Sequence, residues 1–428
     1  MTTPLRLGIA GLGTVGVGVV RIVRTHAALL QARTGRDIQI TAVSARDQSR
    51  DRGINLSHYA WESDPVALAK RDDIDIYVEL MGGADGPALD SVRAALETGK
   101  DVVTANKAML AMHGYELAKL AEEKGRIIRF EAAVAGGIPV IKALNEGLAG
   151  NEITRVMGVM NGTCNYILTR MESAGLPYAT VFQEASDLGY LEADPTLDVG
   201  GIDAGHKLAL LSAIAFGTRP DFSGMELEGI ERISIDDIRQ AADMGYRIKL
   251  LGVAQRTGRG LEQRMQPCLV PMESPLGQLE GGTNMVVIEG DAVEQIVLRG
   301  PGAGQGPTAS AVMGDVCDLA RGFRMPTFGR PADMLDELPA AMSSLPAPYY
   351  LRMGLIDKPG ALAKIAMILG NSGVSIDRMR QYSHSATSAP VLIVTHKTTR
   401  SALDEALAAM ESTDVIASAP VALRIESV

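Results

Sequence analysis

Leu5-Arg6-Leu7-Gly8-Ile9-Ala10-Gly11-Leu12-Gly13-Thr14-Val15-Gly16 sets a short apolar strand directly against a G-x-G-x-x-G turn. Each glycine has a physical reason. Gly11 permits the tight turn, Gly13 lets backbone approach a pyrophosphate, and Gly16 lets the following helix pack on the strand. The pyrophosphate of a dinucleotide then lies on free N–H groups at a helix N-terminus, here Thr14 and Val15 with Leu12 in the turn. A glycine-rich strand–helix turn without ligand is the plain alternative. The flanking strand and helix favour the dinucleotide.

Working outward, the first 136 residues alternate short β-branched runs with helical patterns, the layout of a Rossmann-type parallel sheet. A helix is predicted over Thr14 to Leu30, and strands over Ile38 to Ser44, Ile74 to Val78, Asp101 to Thr104 and Arg126 to Phe130. The end of the second strand decides which dinucleotide fits, because an acid there would bind a ribose hydroxyl and an arginine a 2′-phosphate. No acid ends that strand and Arg46 follows it. NADP is favoured and NAD remains open; Arg50 and Arg52 read as solvated loop residues. Residues 137–325 mix longer helices with strands and read as a second, mixed domain. The segment 326–348 is proline-rich without periodicity and reads as a linker. Residues 349–428 follow the order β-α-β-β-α-β of a ferredoxin-like domain, its first helix starting at Pro359 with Asp357 in a capping position. The fold class is thus α/β followed by α+β.

Composition narrows the function. Net charge is −10, which disfavours nucleic acid and anionic membrane as partners. Three cysteines, widely spaced, build neither a disulfide framework nor a paired metal site. No apolar run approaches the roughly 20 residues of a membrane span, and no signal-peptide pattern opens the chain. A reducing, cytoplasmic setting follows.

The chemistry concentrates where charge meets an apolar helix. Asp203 and Lys207 are four residues apart and share a face that continues as Leu210, Leu211 and Ile214. A solvated ion pair is the plain reading. A helix apolar nearly all round is usually buried, however, so charges at its start should face a cleft. Hydride addition to an aldehyde develops negative charge on oxygen, and an ammonium such as Lys207, oriented by Asp203, can supply the proton. Lys107 follows the strand Asp101 to Thr104 at its carboxyl end, where open α/β sheets bind ligands. Its position alone fits a surface lysine equally well.

Several strings together resemble homoserine dehydrogenase over nearly the whole chain. They are Gly11 to Gly16, Thr104-Ala-Asn-Lys107, Glu131-Ala-Ala-Val-Ala-Gly-Gly-Ile-Pro139, Asn161-Gly-Thr-Cys-Asn-Tyr-Ile-Leu168 and, the longest, Gly189-Tyr-Leu-Glu-Ala-Asp-Pro-Thr-Leu-Asp-Val-Gly-Gly-Ile-Asp-Ala-Gly-His-Lys207. The resemblance implies NAD(P)H-dependent reduction of L-aspartate 4-semialdehyde to L-homoserine, on the way to threonine, methionine and isoleucine. It makes Lys207 the proton donor and Lys107 an assistant between cofactor and substrate. It gives Glu192 the substrate amino group, with Asp198 and Asp203 in support, and lines the amino-acid pocket with Gly162, Thr163 and Tyr190. It places a monovalent cation, typically sodium, on Glu131 and the backbone of Val134, Gly136 and Ile138. It makes 137–325 a catalytic and dimerisation domain whose end returns to the Rossmann domain and brings Gly302 to the cofactor. The end of the chain resembles an ACT domain through Leu355-Ile-Asp-Lys-Pro-Gly360 and Asn371-Ser-Gly-Val374, implying threonine or another end product as effector and a homodimer or homotetramer. With no kinase-like segment ahead of residue 1, the resemblance is to the single-activity form. Two rivals stand beside it: a dehydrogenase of similar build for another amino-acid or oxo-acid substrate, and a non-catalytic amino-acid sensor. Removing the chain after Pro348 is expected to leave an active enzyme without effector response.

Overall fold

A computed structural model describes residues 3–191, 194–341, 345–381 and 388–428. Sixteen strands are assigned among them, in chain order. The first six are β1 (Leu5–Ala10), β2 (Ile38–Ser44), β3 (Ala60–Glu62), β4 (Ile76–Glu79), β5 (Asp101–Thr104) and β6 (Ile128–Arg129). They form one sheet in the order β3-β2-β1-β4-β5-β6, with every pairing parallel. The order reverses between β1 and β4, and ligands of open α/β sheets bind outside the strand ends at such a switch point. The glycine turn after β1 and Lys107 after β5 therefore share one edge. Parallel strands covered on both faces are apolar throughout, and Leu7, Ile9, Ile76 and Val78 are almost wholly buried.

The helix predicted from Thr14 to Leu30 is two helices, Thr14–Thr25 and Ala27–Thr34, broken at His26. Its core-facing residues end at Val23, and the second piece buries Leu30 alone, so only the first is held by the sheet.

The remaining strands are β7 (Ile153–Val159), β8 (Glu226–Leu227), β9 (Tyr246–Thr257), β10 (Gly260–Pro271), β11 (Thr283–Gly290), β12 (Glu294–Pro301), β13 (Tyr349–Ile356), β14 (Ile376–Gln381), β15 (Ser388–Thr395) and β16 (Ile416–Ile425). They make one sheet ordered β12-β11-β7-β9-β10-β16-β13-β15-β14, with β8 on β10. The C-terminal unit has the expected β-α-β-β-α-β order, but its sheet is continuous with that of the middle of the chain. The junction is a short parallel ladder, Cys268↔Arg424 and Leu269↔Ile425. The helix Ile202–Phe216 lies on β9 and β10 and buries Leu208, Leu210 and Leu211 completely, as its nearly uniform apolar surface requires.

Two local expectations fail for stated reasons. The helix expected from Pro359 begins at Ala361, and its N-cap is Gly360 at φ +86°, not Asp357. A left-handed residue cannot continue a helix, so the turn Asp357 to Gly360 lies outside it. The segment 326–348 is no free linker. Phe328 is 1% exposed, with its ring centroid 5.5 Å from that of Phe130. Isolated bridges tie Asp336 to Thr218 and Ala340 to Leu261. Proline removes donors without preventing burial of the residues between.

Candidate active site

A cleft of about 630 Å³ opens between the two sheets, lined by Val15, Leu80 to Gly82, Ala105 to Lys107, Asn161 to Thr163, Tyr190, Asp198, Asp203, Lys207, Asn284 and Gly302 among others. That is the size of a small-molecule site.

Its charged centre comes from two helices that face each other. Lys107 is the first residue of the helix Lys107–Glu123, capped by Asn106, whose side chain accepts from Met109 N at 3.1 Å. Asp203 and Lys207 stand on the first turns of Ile202–Phe216. Lys207 Nζ donates to Asp203 Oδ2 at 2.7 Å and to the Met160 carbonyl at 2.9 Å, while Lys107 Nζ lies 2.9 Å from Asp203 Oδ1. One carboxylate thus holds two ammoniums from different halves of the molecule. Burial alone would raise the Asp203 carboxyl, but Lys207 and Lys107 outweigh it and keep it well below the usual carboxylate range. Asp203 is anionic throughout the physiological range. Behind it, Asn161 Nδ2 donates to Asp198 Oδ1 at 2.9 Å and to Asp203 Oδ2 at 3.3 Å. Asn161 also caps the helix Gly162–Ala174.

That helix start turns the backbone N–H groups of its first residues, Gly162 and Thr163, to the cleft they line, an end suited to a carboxylate. Tyr190 closes this side, stacked on Tyr166 with ring centroids 4.5 Å apart and its carbonyl accepting from the Thr163 hydroxyl at 2.9 Å. Glu192, assigned the substrate amino group by resemblance, lies outside the described residues.

The opposite wall fits a dinucleotide. A side chain at Gly11 (φ +97°) would strike the Leu80 carbonyl, and one at Gly16 would strike the Gly11 carbonyl, at 2.4 and 2.0 Å from the added carbon. At Gly13 the added carbon would meet nothing within 4 Å. Two glycines are needed for internal packing, and the middle one faces open space, as a phosphate-binding turn requires. Arg46 is exposed. Arg52, read from sequence as solvated, is instead fixed at the turn. Its Nε donates to the Leu12 carbonyl at 3.2 Å and its Nη2 to the Asp47 carbonyl at 2.6 Å, and its guanidinium lies 5.6 Å from the Trp61 ring centroid. Gly302 presses on the Asn284 amide so closely that any side chain would collide, at 1.9 Å from the added carbon.

Glu131 is 2% exposed and accepts from Ile141 N and Lys142 N, both at 2.9 Å. Burial, then the charge of Asp315, raises its carboxyl to about 7. Val134 and Ile138 are buried beside it. Gly136 (φ +55°) abuts the Gly302 carbonyl, which ties this loop to the cleft.

Sequence reasoning missed the Met160 carbonyl, Asn161, Asn284 and Arg52. Asn161 was recognisable as an N-cap ahead of an apolar-periodic helix. A backbone carbonyl carries no sequence signal.

Comparison with known proteins supplies the family. Family models described as "Homoserine dehydrogenase, NAD binding domain", "Homoserine dehydrogenase" and "ACT domain" match residues 11–131, 139–317 and 349–414. Homoserine dehydrogenase of Neisseria gonorrhoeae is 43% identical over 432 residues, covering 99% of each chain. The crystal structure of a homoserine dehydrogenase from Thiobacillus denitrificans superposes with a TM-score of 0.94 at 39% identity, over 99% of both chains. A hyperthermophilic archaeal homoserine dehydrogenase mutant in complex with NADPH matches 75% of this chain and 99% of its own, with a TM-score of 0.65 at 28% identity. The chain belongs to the homoserine dehydrogenase family and is an NAD(P)-dependent oxidoreductase with a C-terminal ACT domain.

Proposed function

We propose that the cleft reduces L-aspartate 4-semialdehyde to L-homoserine with NADPH as the preferred donor, and that Lys207 delivers the proton. The observation that carries this reading is the Lys207–Asp203–Lys107 arrangement at the cleft between glycine turn and helix start. When bound, the nicotinamide supplies a hydride; the chain's residues orient the aldehyde and handle the proton. An ammonium offers three donors. Asp203 and Met160 take two of Lys207's, leaving the third for an aldehyde oxygen that gains negative charge. Lys107 supports that charge from the cofactor side. The amino-acid end is held by Gly162 and Thr163 at its carboxylate and by Glu192 at its ammonium, with Asp198 and Asn161 fixing the base of the pocket and Tyr190 its rim. The turn Gly11 to Gly16 takes the pyrophosphate, with Gly302 against the cofactor from the other side.

For the 2′-phosphate, Arg52 joins Arg46, because its guanidinium is already fixed beside the turn by backbone carbonyls. Steady-state assays with both dinucleotides test these assignments. Aspartate semialdehyde is expected to turn over with NADPH at a higher kcat/KM than with NADH, and Arg52→Ala to lose roughly tenfold or more with NADPH alone, the scale of one charge-assisted contact. Equal loss with both dinucleotides would remove Arg52 from phosphate recognition. Turnover of another aldehyde in place of aspartate semialdehyde would favour the related-dehydrogenase reading.

Glu131 with the carbonyls of Val134, Gly136 and Ile138 is assigned to a monovalent cation, sodium by preference, on the family resemblance; its carboxylate is buried and accepts from Ile141 N and Lys142 N. Sodium is expected to raise the thermal midpoint of the wild type and not of Glu131→Gln; equal responses would place the ion elsewhere. The ACT unit is assigned to feedback by threonine or another pathway amino acid, read as inhibition in the same steady-state assay. Assembly as a homodimer or homotetramer, cytoplasmic placement and a division of the chain near residues 136, 325 and 348 complete the reading.

A further inference from the structure

Glu79 ends β4 and is fully buried, yet among the described residues no cation is paired with it. A buried carboxylate is expensive unless hydrogen bonds satisfy it. Here they come from three donors on two segments. Oε1 accepts from Met81 N at 2.6 Å and Gly82 N at 3.2 Å; Oε2 accepts from the Thr104 hydroxyl at 2.6 Å. The first two fix the turn Leu80 to Gly83, of which Leu80, Met81 and Gly82 line the cleft and Leu80 lies against Gly11. The third leads to the Lys107 helix. Thr104 Oγ1 accepts from Asn106 N at 2.9 Å, and Asn106 Nδ2 returns to the Gly83 carbonyl at 2.7 Å while its Oδ1 caps the helix. A closed circuit of hydrogen bonds therefore runs from Glu79 through Thr104 and Asn106 back to the same turn. Gly82 and Gly83, at φ +80° and +90°, supply the backbone it needs. Farther along, Asp85 Oδ1 lies 2.7 Å from His113 Nε2 on the same helix.

We propose that Glu79 is a positioning residue for the reaction: its carboxylate locks the Leu80–Gly83 turn to the start of the Lys107 helix, and so sets where Lys107 meets Asp203. The proposal rests on the reading that aldehyde and dinucleotide share this cleft. A fold-stabilising role alone needs no carboxylate at this point, since neutral groups of similar shape often serve a buried site equally well. A role in placing Lys107 needs a hub that accepts from both segments at once. An ionised carboxylate is acceptor-only at both oxygens and meets that need; a glutamine does not.

Thr104→Val is the discriminating variant, because it cuts the link to the helix start while leaving Oε1 on Met81 and Gly82. In the full-length chain, its kcat is expected to fall about ten- to hundredfold, the scale of a displacement near 1 Å, with the NADPH dissociation constant from direct fluorescence titration near wild type. Thr104→Ser restores the hydroxyl and is expected to recover most of kcat. Glu79→Leu, which removes the acceptors of both segments, is expected to lower kcat and weaken NADPH binding together. If Thr104→Val lowers the melting midpoint while kcat and both KM values stay at wild type, Glu79 serves the fold alone and the proposal falls. It falls equally if Thr104→Val weakens NADPH binding as much as it lowers kcat, or if serine fails to rescue. Because Thr104→Val is isosteric, these outcomes remain readable even where Glu79→Leu does not fold. Failure of the wild type to turn over aspartate semialdehyde would instead overturn the functional reading, and the NADPH titrations distinguish the two.

Discussion

Lys207→Ala is expected to lower kcat by roughly two to four orders of magnitude, the scale of a lost general acid, while NADPH binding stays near wild type. Direct titration of NADPH together with single-turnover reduction checks both halves. The size follows from geometry. With Nζ held at 2.7 Å by Asp203 and 2.9 Å by Met160, the third N–H is preorganised and loses little freedom on reaching the transition state. Lys107, 30% exposed, sits on the other oxygen of Asp203, so on this reading its ammonium does not stand where that of Lys207 does. Asp203→Asn is expected to act through both ammoniums, since the two lysines would then face each other across a neutral amide. Its pH signature has a definite sign. The Asp203 carboxyl is depressed in the folded chain, so its contribution to stability is present above its unfolded value near 3.9 and is lost only as pH falls through the lower folded value. An acid limb in kcat near neutrality therefore cannot belong to Asp203. Full activity in Lys207→Ala would assign the proton to another group.

How much of this site was legible follows from how local each constraint is. Gly11, Gly13 and Gly16 were readable because their requirement lies within one strand–turn–helix unit, and each makes the contact, or leaves the space, that its position demands. Asp203 and Lys207 were readable from an i,i+4 spacing at the head of an apolar helix. That Asp203 also holds Lys107 was not, because those residues are 96 positions apart and meet only when two sheets close on each other. Arg52 escaped because a loop arginine reads as solvated until the carbonyls of Leu12 and Asp47 are brought to it. The segment after Pro326 was misread because proline content reports missing donors, and burial of Phe328 depends on the distant Phe130. The union of the two β-systems rests on a two-pair ladder that no periodicity encodes.

That ladder changes what truncation should do. Cutting after Pro348 removes β16, and with it Glu426, from a cluster of charges whose central members Glu262, Arg264, Arg424 and Glu426 are buried. Arg264, with its side chain 1% exposed, is paired with Glu262 and Glu426. Glu426 also accepts from Arg424 Nε at 2.6 Å and lies 3.8 Å from Arg155, which is paired with Glu289. Three guanidiniums and three carboxylates balance. Deleting one carboxylate leaves a cationic excess where water cannot compensate, and breaking a buried pair typically costs about 3–5 kcal/mol. Glu426→Ala is therefore expected to destabilise the full chain by that amount, lowering its thermal midpoint on the order of 10 °C, with all of the cleft residues still present. Truncation after Pro348 removes Arg424 as well but uncovers Cys268 and Leu269 on β10, next to the helix that carries Lys207. It is expected to cost activity along with effector response, so feedback is better tested by adding amino acids to the intact chain. Calorimetry decides the matter: a Glu426→Ala variant that melts with the wild type would show the cluster to be energetically idle, and a truncated chain that melts cooperatively at the wild-type midpoint would restore the reading of 326–348 as a separable connection.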